Sequence, residues 1–152
     1  MAEIKKFKKN EIIFREGENG NTMYDIRYGT VGIYADYDTS DRKLLTKLVS
    51  EEFFGEMGMI EDLPRSATAV ALENTEVAVI TNDNFSEYLS VKPAKAFEIL
   101  KHTSYRLRQL SADYIEACAA MQEYVKDEKE GKAHSSELIG KMKKINAAGK
   151  RK

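Results

Sequence analysis

Residues 54–69 read FGEMGMIEDLPRSATA, a stretch that places two opposite charges on either side of a tight turn. Glu56 follows a glycine, Arg65 follows a proline, and the two charged residues stand nine positions apart in an otherwise apolar run. The spacing leaves no room for a long helix. The two charges therefore form either a salt bridge within a structural turn or two contacts to one ligand.

The residue types in this stretch suit a ligand that has both an anionic group and hydroxyl groups. Gly55 and Gly58 allow backbone conformations or close approaches that a Cβ would obstruct. Arg65 can pair with a phosphate through two N–H groups, and Ser66 can add a hydroxyl. An ionised Glu56 can only accept hydrogen bonds, so it suits a pair of ligand hydroxyls. An anion close to a diol describes a sugar phosphate.

The chain around this stretch has the pattern of short antiparallel strands, separated by turns rich in Gly, Asn and Asp. The predicted strands are EIIF (11–14), TMYDIRY (22–28), VGIYADY (31–37), KLLTKLV (43–49), TAVALE (68–73) and EVAVI (76–80). No insert of helical length separates them. The pattern predicts an α+β fold built on an antiparallel, jelly-roll-like β-roll.

Helical signals follow the last predicted strand. TNDNFSEYLSV (81–91) has a capping-type start and predicts a short helix. Pro93 suits the first turn of a much longer helix, which good helix formers extend to about residue 128. We therefore predict a domain over residues 1–128, in which helices flank the roll and the long helix ends the domain.

The remaining residues, 129–152, form a basic tail in which SSELIGKMKKINAA (135–148) can make one short helix. From Lys126 onward there are nine Lys or Arg and four Asp or Glu, whereas the whole chain has a net charge of −1. The rest of the chain is therefore acidic and a poor surface for nucleic acid. Nucleic-acid binding through the tail is an alternative function, and a solvated basic end is the simpler interpretation of the tail.

The long helix has an apolar stripe, here called the seam, whose residues alternate at spacings of three and four. The seam consists of Leu107, Leu110, Tyr114, Ala117, Met121 and Tyr124. It can pack on the strand domain or pair with the seam of a second chain. A rise of about 1.5 Å per residue takes this part of the helix past the edge of a small roll, which favours a parallel homodimer.

Composition limits the other classes of function. A single cysteine, Cys118, excludes an internal disulfide and fits a reducing compartment. No apolar run approaches the roughly 18 residues of a membrane span, and the N-terminus lacks a signal-peptide core, so we expect a cytoplasmic protein without membrane contact.

The sequence offers no metal-binding set and no activated nucleophile. We expect no catalytic residues, no metal and no cofactor.

Residues 54–69 closely resemble the phosphate-binding cassette of cyclic nucleotide-binding domains, the family of the bacterial catabolite activator, protein kinase regulatory subunits and gated channels. EIIFREGENGNTMYDIRYGTVGIY (11–34) resembles the first strands of the same family, with glycines in the expected places. The resemblance extends from residue 7 to about residue 125. It implies a β-roll that binds a cyclic nucleotide.

The resemblance implies a role for each matching residue. Glu56 matches the acid that binds the ribose 2′-hydroxyl, and Arg65 matches the arginine that pairs with the cyclic phosphate. The backbone and hydroxyl contacts of the cassette match Gly55, Met57, Gly58, Ser66 and Ala67. The alternative is a degenerate site that no longer binds a nucleotide and acts as an interaction module.

The resemblance also bears on the base and on the output of the domain. Ser66 is typical of bacterial cyclic AMP receptors, which favours cyclic AMP, although a hydroxyl there can also serve the guanine of cyclic GMP. The adenine-contacting Thr-Ser pair of the catabolite activator corresponds to Leu110 and Ser111, so Ser111 is a candidate base contact. Too few residues follow Glu128 for a winged helix-turn-helix. We expect a stand-alone sensor that signals through lid-helix movement and dimerisation to an unidentified protein partner.

Overall fold

The computed structural model describes the backbone of residues 2–149 and the side chains of residues 2–145. In chain order the elements are β1 (Glu3–Phe7), β2 (Ile12–Phe14), β3 (Thr22–Tyr28), β4 (Val31–Ala35), β5 (Lys43–Leu48), β6 (Phe53–Phe54), α1 (Glu56–Glu61), β7 (Thr68–Ala71), β8 (Thr75–Thr81), α2 (Asn82–Val91), α3 (Ala94–Glu130) and α4 (Ser136–Gly149). Lys150, Arg151 and Lys152 of the predicted basic tail lie outside the described residues.

The strands form two four-stranded sheets in which every pairing is antiparallel. One sheet has the order β1-β8-β3-β6 and the other the order β2-β7-β4-β5. Both sheets contribute to one apolar core, whose buried members include Tyr24, Ile26 and Val77 from the first sheet and Val31 and Ala69 from the second. The predicted α+β fold, an antiparallel roll flanked by helices, is confirmed.

Two strands of the first sheet were missing from the prediction. β1 reads EIKKF, is mostly exposed and pairs only with β8. Its lysines are typical of an edge strand that resists pairing with other chains, so its pattern does not indicate a buried face. β6 has only two residues, Phe53 and Phe54, opposite Asp25 and Tyr24 of β3. A strand this short has too few residues for an alternating pattern.

The predicted helices are present. α2 begins with a capping box, in which the Thr81 side chain and the Asn84 side chain each bond the other residue's backbone. α3 runs to Glu130, two residues beyond the predicted end. α4 begins and ends one residue later than the segment predicted to form a short helix. Within residues 2–149, no helix is both long enough and apolar enough to span a lipid bilayer.

The chain divides into two compact units, Met1–Phe97 and Glu98–Lys152. The first unit contains the roll, α1 and α2. In the second unit α4 packs against α3, where Ala120 and Leu138 are buried and the rings of Tyr124 and His134 stack with centroids 4.0 Å apart. The predicted domain boundary between residues 128 and 129 stays a prediction.

A buried ion pair joins the roll to the end of α2. The Asp25 carboxylate of β3 is fully buried, and the Lys92 ammonium lies 2.8 Å from its Oδ2 atom. Lys95, one turn further on, donates from its ammonium to the backbone carbonyl oxygen of Glu51 in the loop before β6. These contacts fix the α2–α3 junction to β3 and to the loop that leads through β6 into residues 55–58.

Replacing Lys92 with methionine removes the partner of the buried Asp25 charge. Because an uncompensated buried carboxylate is strongly unfavourable, we expect the free energy of unfolding to fall by about 3 kcal/mol. Urea denaturation of the whole protein, monitored by circular dichroism, measures the change. The matched control is Lys5→Met on the exposed face of β1, which should alter stability by less than about 0.5 kcal/mol. Equal losses in the two variants would contradict a stabilising pair.

Candidate ligand-binding site

The turn between β6 and α1 depends on a glycine. Gly55 has a φ of 80°, in the left-handed region, and serves as the N-cap of α1. A Cβ on Gly55 would lie 2.9 Å from Nη1 of Arg65 and 3.1 Å from the carbonyl oxygen of Thr22. Only glycine allows the backbone to turn at this position and lie so close to the arginine.

A second glycine lets α1 approach the loop before β3. A Cβ on Gly58 would lie 2.7 Å from the carbonyl oxygen of Gly20 and 3.0 Å from Nη1 of Arg65. The loop is also tied to the arginine segment through its backbone, because the Arg65 N–H donates to the Glu18 carbonyl at 2.8 Å and the Gly17 N–H donates to the Arg65 carbonyl at 2.9 Å. α1, the loop and the arginine segment therefore meet at one place.

The Arg65 side chain is buried at this meeting point, with 5% of its surface exposed. Nη1 donates to the carbonyl oxygens of Thr22 and Gly55 at 2.7 and 2.9 Å, and Nη2 donates to the Thr22 hydroxyl at 2.8 Å. The guanidinium carbon also lies 4.3 Å from the centre of the Phe14 ring. The arginine is thus held by hydrogen bonds and by an aromatic ring.

Glu56 is the other buried charge of the cassette, also 5% exposed, and it is the first residue of α1. Burial lowers the pKa of Arg65, while the charges of Tyr24, Glu18 and Glu56 oppose that shift. The Glu56 carboxylate is therefore close enough to influence the Arg65 guanidinium electrostatically. This proximity fits both interpretations of the pair, as a structural ion pair and as two contacts to one ligand.

The remaining cassette residues lie beside these charges. The Ser66 hydroxyl is exposed and lies 4.0 Å from the sulfur of Met57, and Ala67 is buried where the chain enters β7. The structure therefore brings together the seven predicted site residues of the cassette. Ser111 lies in the second unit, where its hydroxyl donates to the Leu107 carbonyl oxygen at 3.0 Å, and its role stays a prediction.

Sequence reasoning missed several residues that contact Arg65, including Thr22, Phe14 and Gly20. Thr22 accepts two of its hydrogen bonds, Phe14 packs on its guanidinium, and Gly20 approaches so closely that a Cβ there would lie 2.4 Å from Nε. In the sequence, Thr22 and Phe14 are ordinary strand residues and Gly20 is an ordinary turn glycine. The signal that could have singled out Gly20 is its place in a loop that must lie against a large side chain.

Comparison with known proteins identifies a family. The family model described as "Cyclic nucleotide-binding domain" matches residues 4–91. The chain is 36% identical over 95 residues to a cAMP-dependent protein kinase regulatory subunit of Debaryomyces hansenii, covering 62% of this chain and 19% of that protein. It is 29% identical over 97 residues to a cyclic AMP receptor protein of Thermus thermophilus, covering 64% of this chain and 45% of that protein.

A solved structure has the same fold. An EAL enzyme in a half-site-occupied form superposes with a TM-score of 0.55 at 34% identity, covering 72% of this chain and 97% of that chain. The chain spans less than half the length of the two curated relatives just named. Because the family model matches more than half of the sequence and the cassette has the geometry described above, this chain belongs to the cyclic nucleotide-binding domain family.

Proposed function

We propose that this chain is a non-catalytic sensor that binds a cyclic nucleotide, with cyclic AMP favoured over cyclic GMP. The observation that supports it most is the presence of both cassette charges, Glu56 and Arg65, which are each buried, with glycines packed closely around Arg65. An arginine and an acid in one cassette suit a ligand with complementary groups, an anion for the arginine and a hydroxyl for the acid. The two relatives whose names include cyclic AMP support the choice of adenine as the base.

In this proposal, the two charges bind opposite ends of the ligand. Arg65 pairs with the cyclic phosphate, and Glu56 accepts a hydrogen bond from the ribose 2′-hydroxyl. Gly55, Met57, Gly58 and Ala67 contribute backbone contacts, to which Ser66 adds its exposed hydroxyl. Ser111 remains a candidate contact for the base.

Binding is proposed to act through α2 and the start of α3. A ligand shifts a conformational equilibrium only by its difference in affinity for the two arrangements. The α2–α3 junction is attached to Asp25 and to the loop at Glu51, which leads through β6 into Gly55. A change at the cassette therefore has a short, packed route to the helices that we propose to move.

We further propose that the seam forms a homodimer. Leu107, Leu110 and Tyr114 are 65%, 65% and 71% exposed, and Met121 is 51% exposed. Ala117 and Tyr124 are half-buried. A row of exposed apolar side chains at heptad spacing is typical of a helix that pairs with another helix.

Replacing Arg65 with alanine should weaken binding of cyclic AMP by at least about 30-fold, because the phosphate would lose its charged partner at a cost of about 2–5 kcal/mol. Calorimetric titration of cyclic AMP and of cyclic GMP into both proteins measures this loss and the base preference. Arg27→Ala on the exposed side of β3 is the matched control and should bind as the wild type does. The samples should contain no 5′-monophosphate after incubation.

A folded wild-type protein that takes up neither nucleotide would overturn the proposed function and favour the degenerate site. Accumulation of a 5′-monophosphate would overturn the non-catalytic part of the proposal.

The contact of Glu56 predicts a dependence on one ligand hydroxyl. The wild type should bind 2′-deoxy cyclic AMP about tenfold or more weakly than cyclic AMP, because it loses a hydrogen bond to a charged group. Glu56→Ala should bind the two nucleotides with nearly equal affinity. If the variant still distinguishes them as strongly as the wild type, Glu56 serves only as a structural partner of Arg65.

The seam predicts the oligomeric state. Sedimentation velocity should find a dimer for the wild type and a monomer for Leu110→Glu, because a carboxylate in the middle of a paired apolar stripe would be buried without a partner. Gln109→Glu, one residue away and off the seam, is the matched control and should remain a dimer. A monomeric wild type at high micromolar concentration would contradict the dimer.

A further inference from the structure

We infer that Thr22 is a positioning residue for the phosphate contact, because its carbonyl and hydroxyl oxygens hold both terminal nitrogens of the Arg65 guanidinium. This inference rests on the proposed function. Thr22 begins β3 and pairs with Thr81 of β8, so a sheet fixes its backbone. Its carbonyl oxygen accepts from Nη1 at 2.7 Å and its hydroxyl accepts from Nη2 at 2.8 Å.

The hydrogen bonds of Arg65 show which N–H donors of its guanidinium already have acceptors. A guanidinium has five N–H donors in a fixed, planar arrangement. Both donors of Nη1 and one donor of Nη2 bond to Thr22 and Gly55. The other two donors are on Nε and Nη2, and the Tyr24 hydroxyl is a further hydrogen-bonding neighbour of this side chain. N–H groups on these two nitrogens can bond two oxygens of a phosphate while the hydrogen bonds to Thr22 and Gly55 stay in place.

The flat surface of the guanidinium is also packed. A Cβ on Gly20 would lie 2.4 Å from Nε and 2.6 Å from both Cζ and Nη2 of Arg65. All three atoms belong to the Nε–Nη2 side of the group, so Gly20 lies against that side of the guanidinium. The Phe14 ring contacts the same group, with its centre 4.3 Å from Cζ. Because both terminal nitrogens donate hydrogen bonds and the Phe14 ring packs on the group, the guanidinium has little freedom to rotate.

The hydroxyl of Thr22 has a distinct part in this arrangement. The backbone carbonyl of Thr22 and the carbonyl of Gly55 both bond to Nη1, so neither supplies an acceptor for Nη2. The hydroxyl is the acceptor that holds Nη2. Valine has the shape of threonine and suits a strand, but it lacks this acceptor. Thr22→Val should therefore free the guanidinium to tilt without altering the sheet.

The test is a double-mutant cycle on cyclic AMP affinity, measured by calorimetry with nucleotide up to millimolar concentration. Thr22→Val should weaken binding about tenfold, the loss expected when one hydrogen bond to a charged group is removed. Thr22→Ser restores a hydroxyl and should bind within about twofold of the wild type. Thr46→Val, on an exposed part of β5, is the matched control and should not change affinity.

The cycle separates positioning from a general structural effect. In an Arg65→Lys background, Thr22→Val should have no further effect, because the hydroxyl acts through the guanidinium. An equal loss in both backgrounds, or no loss from Thr22→Val alone, would overturn the inference while leaving the proposed function intact. If the wild type binds no cyclic nucleotide, the proposed function itself fails and the inference fails with it.

Discussion

The buried Arg65 guanidinium is the group on which the arrangement of the site depends. The guanidinium donates to Thr22 of β3 and to Gly55 of the β6–α1 turn. The backbone of Arg65 is hydrogen-bonded to the loop before β3. Two other segments, residues 17–22 and the β6–α1 turn, therefore converge on one cation. Because a buried cation needs its acceptors satisfied, each of these segments is constrained in position by the same requirement.

The small size of the residues around Arg65 follows from that burial. Gly20, Gly55 and Gly58 each lie so close to the guanidinium that a Cβ would come within 3.0 Å of one of its atoms. The absence of side chains allows three backbones to surround one planar group. In the proposed function, the same glycines leave backbone N–H groups close to the phosphate, so the packing and the ligand contacts have one structural basis.

A further buried charge, Asp25, connects the roll to the end of α2. A carboxylate inside β3 is unusual unless it is paired, and its partner Lys92 stands where α2 ends. Asp25 also lies opposite Phe53, in the strand that runs directly into Gly55. The cassette and the helix junction are therefore attached to neighbouring positions of the same pair of strands, which is a compact basis for the coupling proposed between ligand and helices.

The sequence alone determined the features that repeat over short distances. These features are the alternating strands, the long uninterrupted helix, and the acid and arginine of residues 54–69. Each of them depends on local spacing, which can be read from the sequence. Only the tertiary structure decided which residues meet. Thr22 and Arg65 are 43 positions apart. β1 and β6 are strands because they pair with β8 and β3. The buried Asp25 carboxylate is tolerated because the Lys92 ammonium lies beside it. Such contacts depend on how strands from distant parts of the chain are brought into register, and local periodicity does not encode that arrangement.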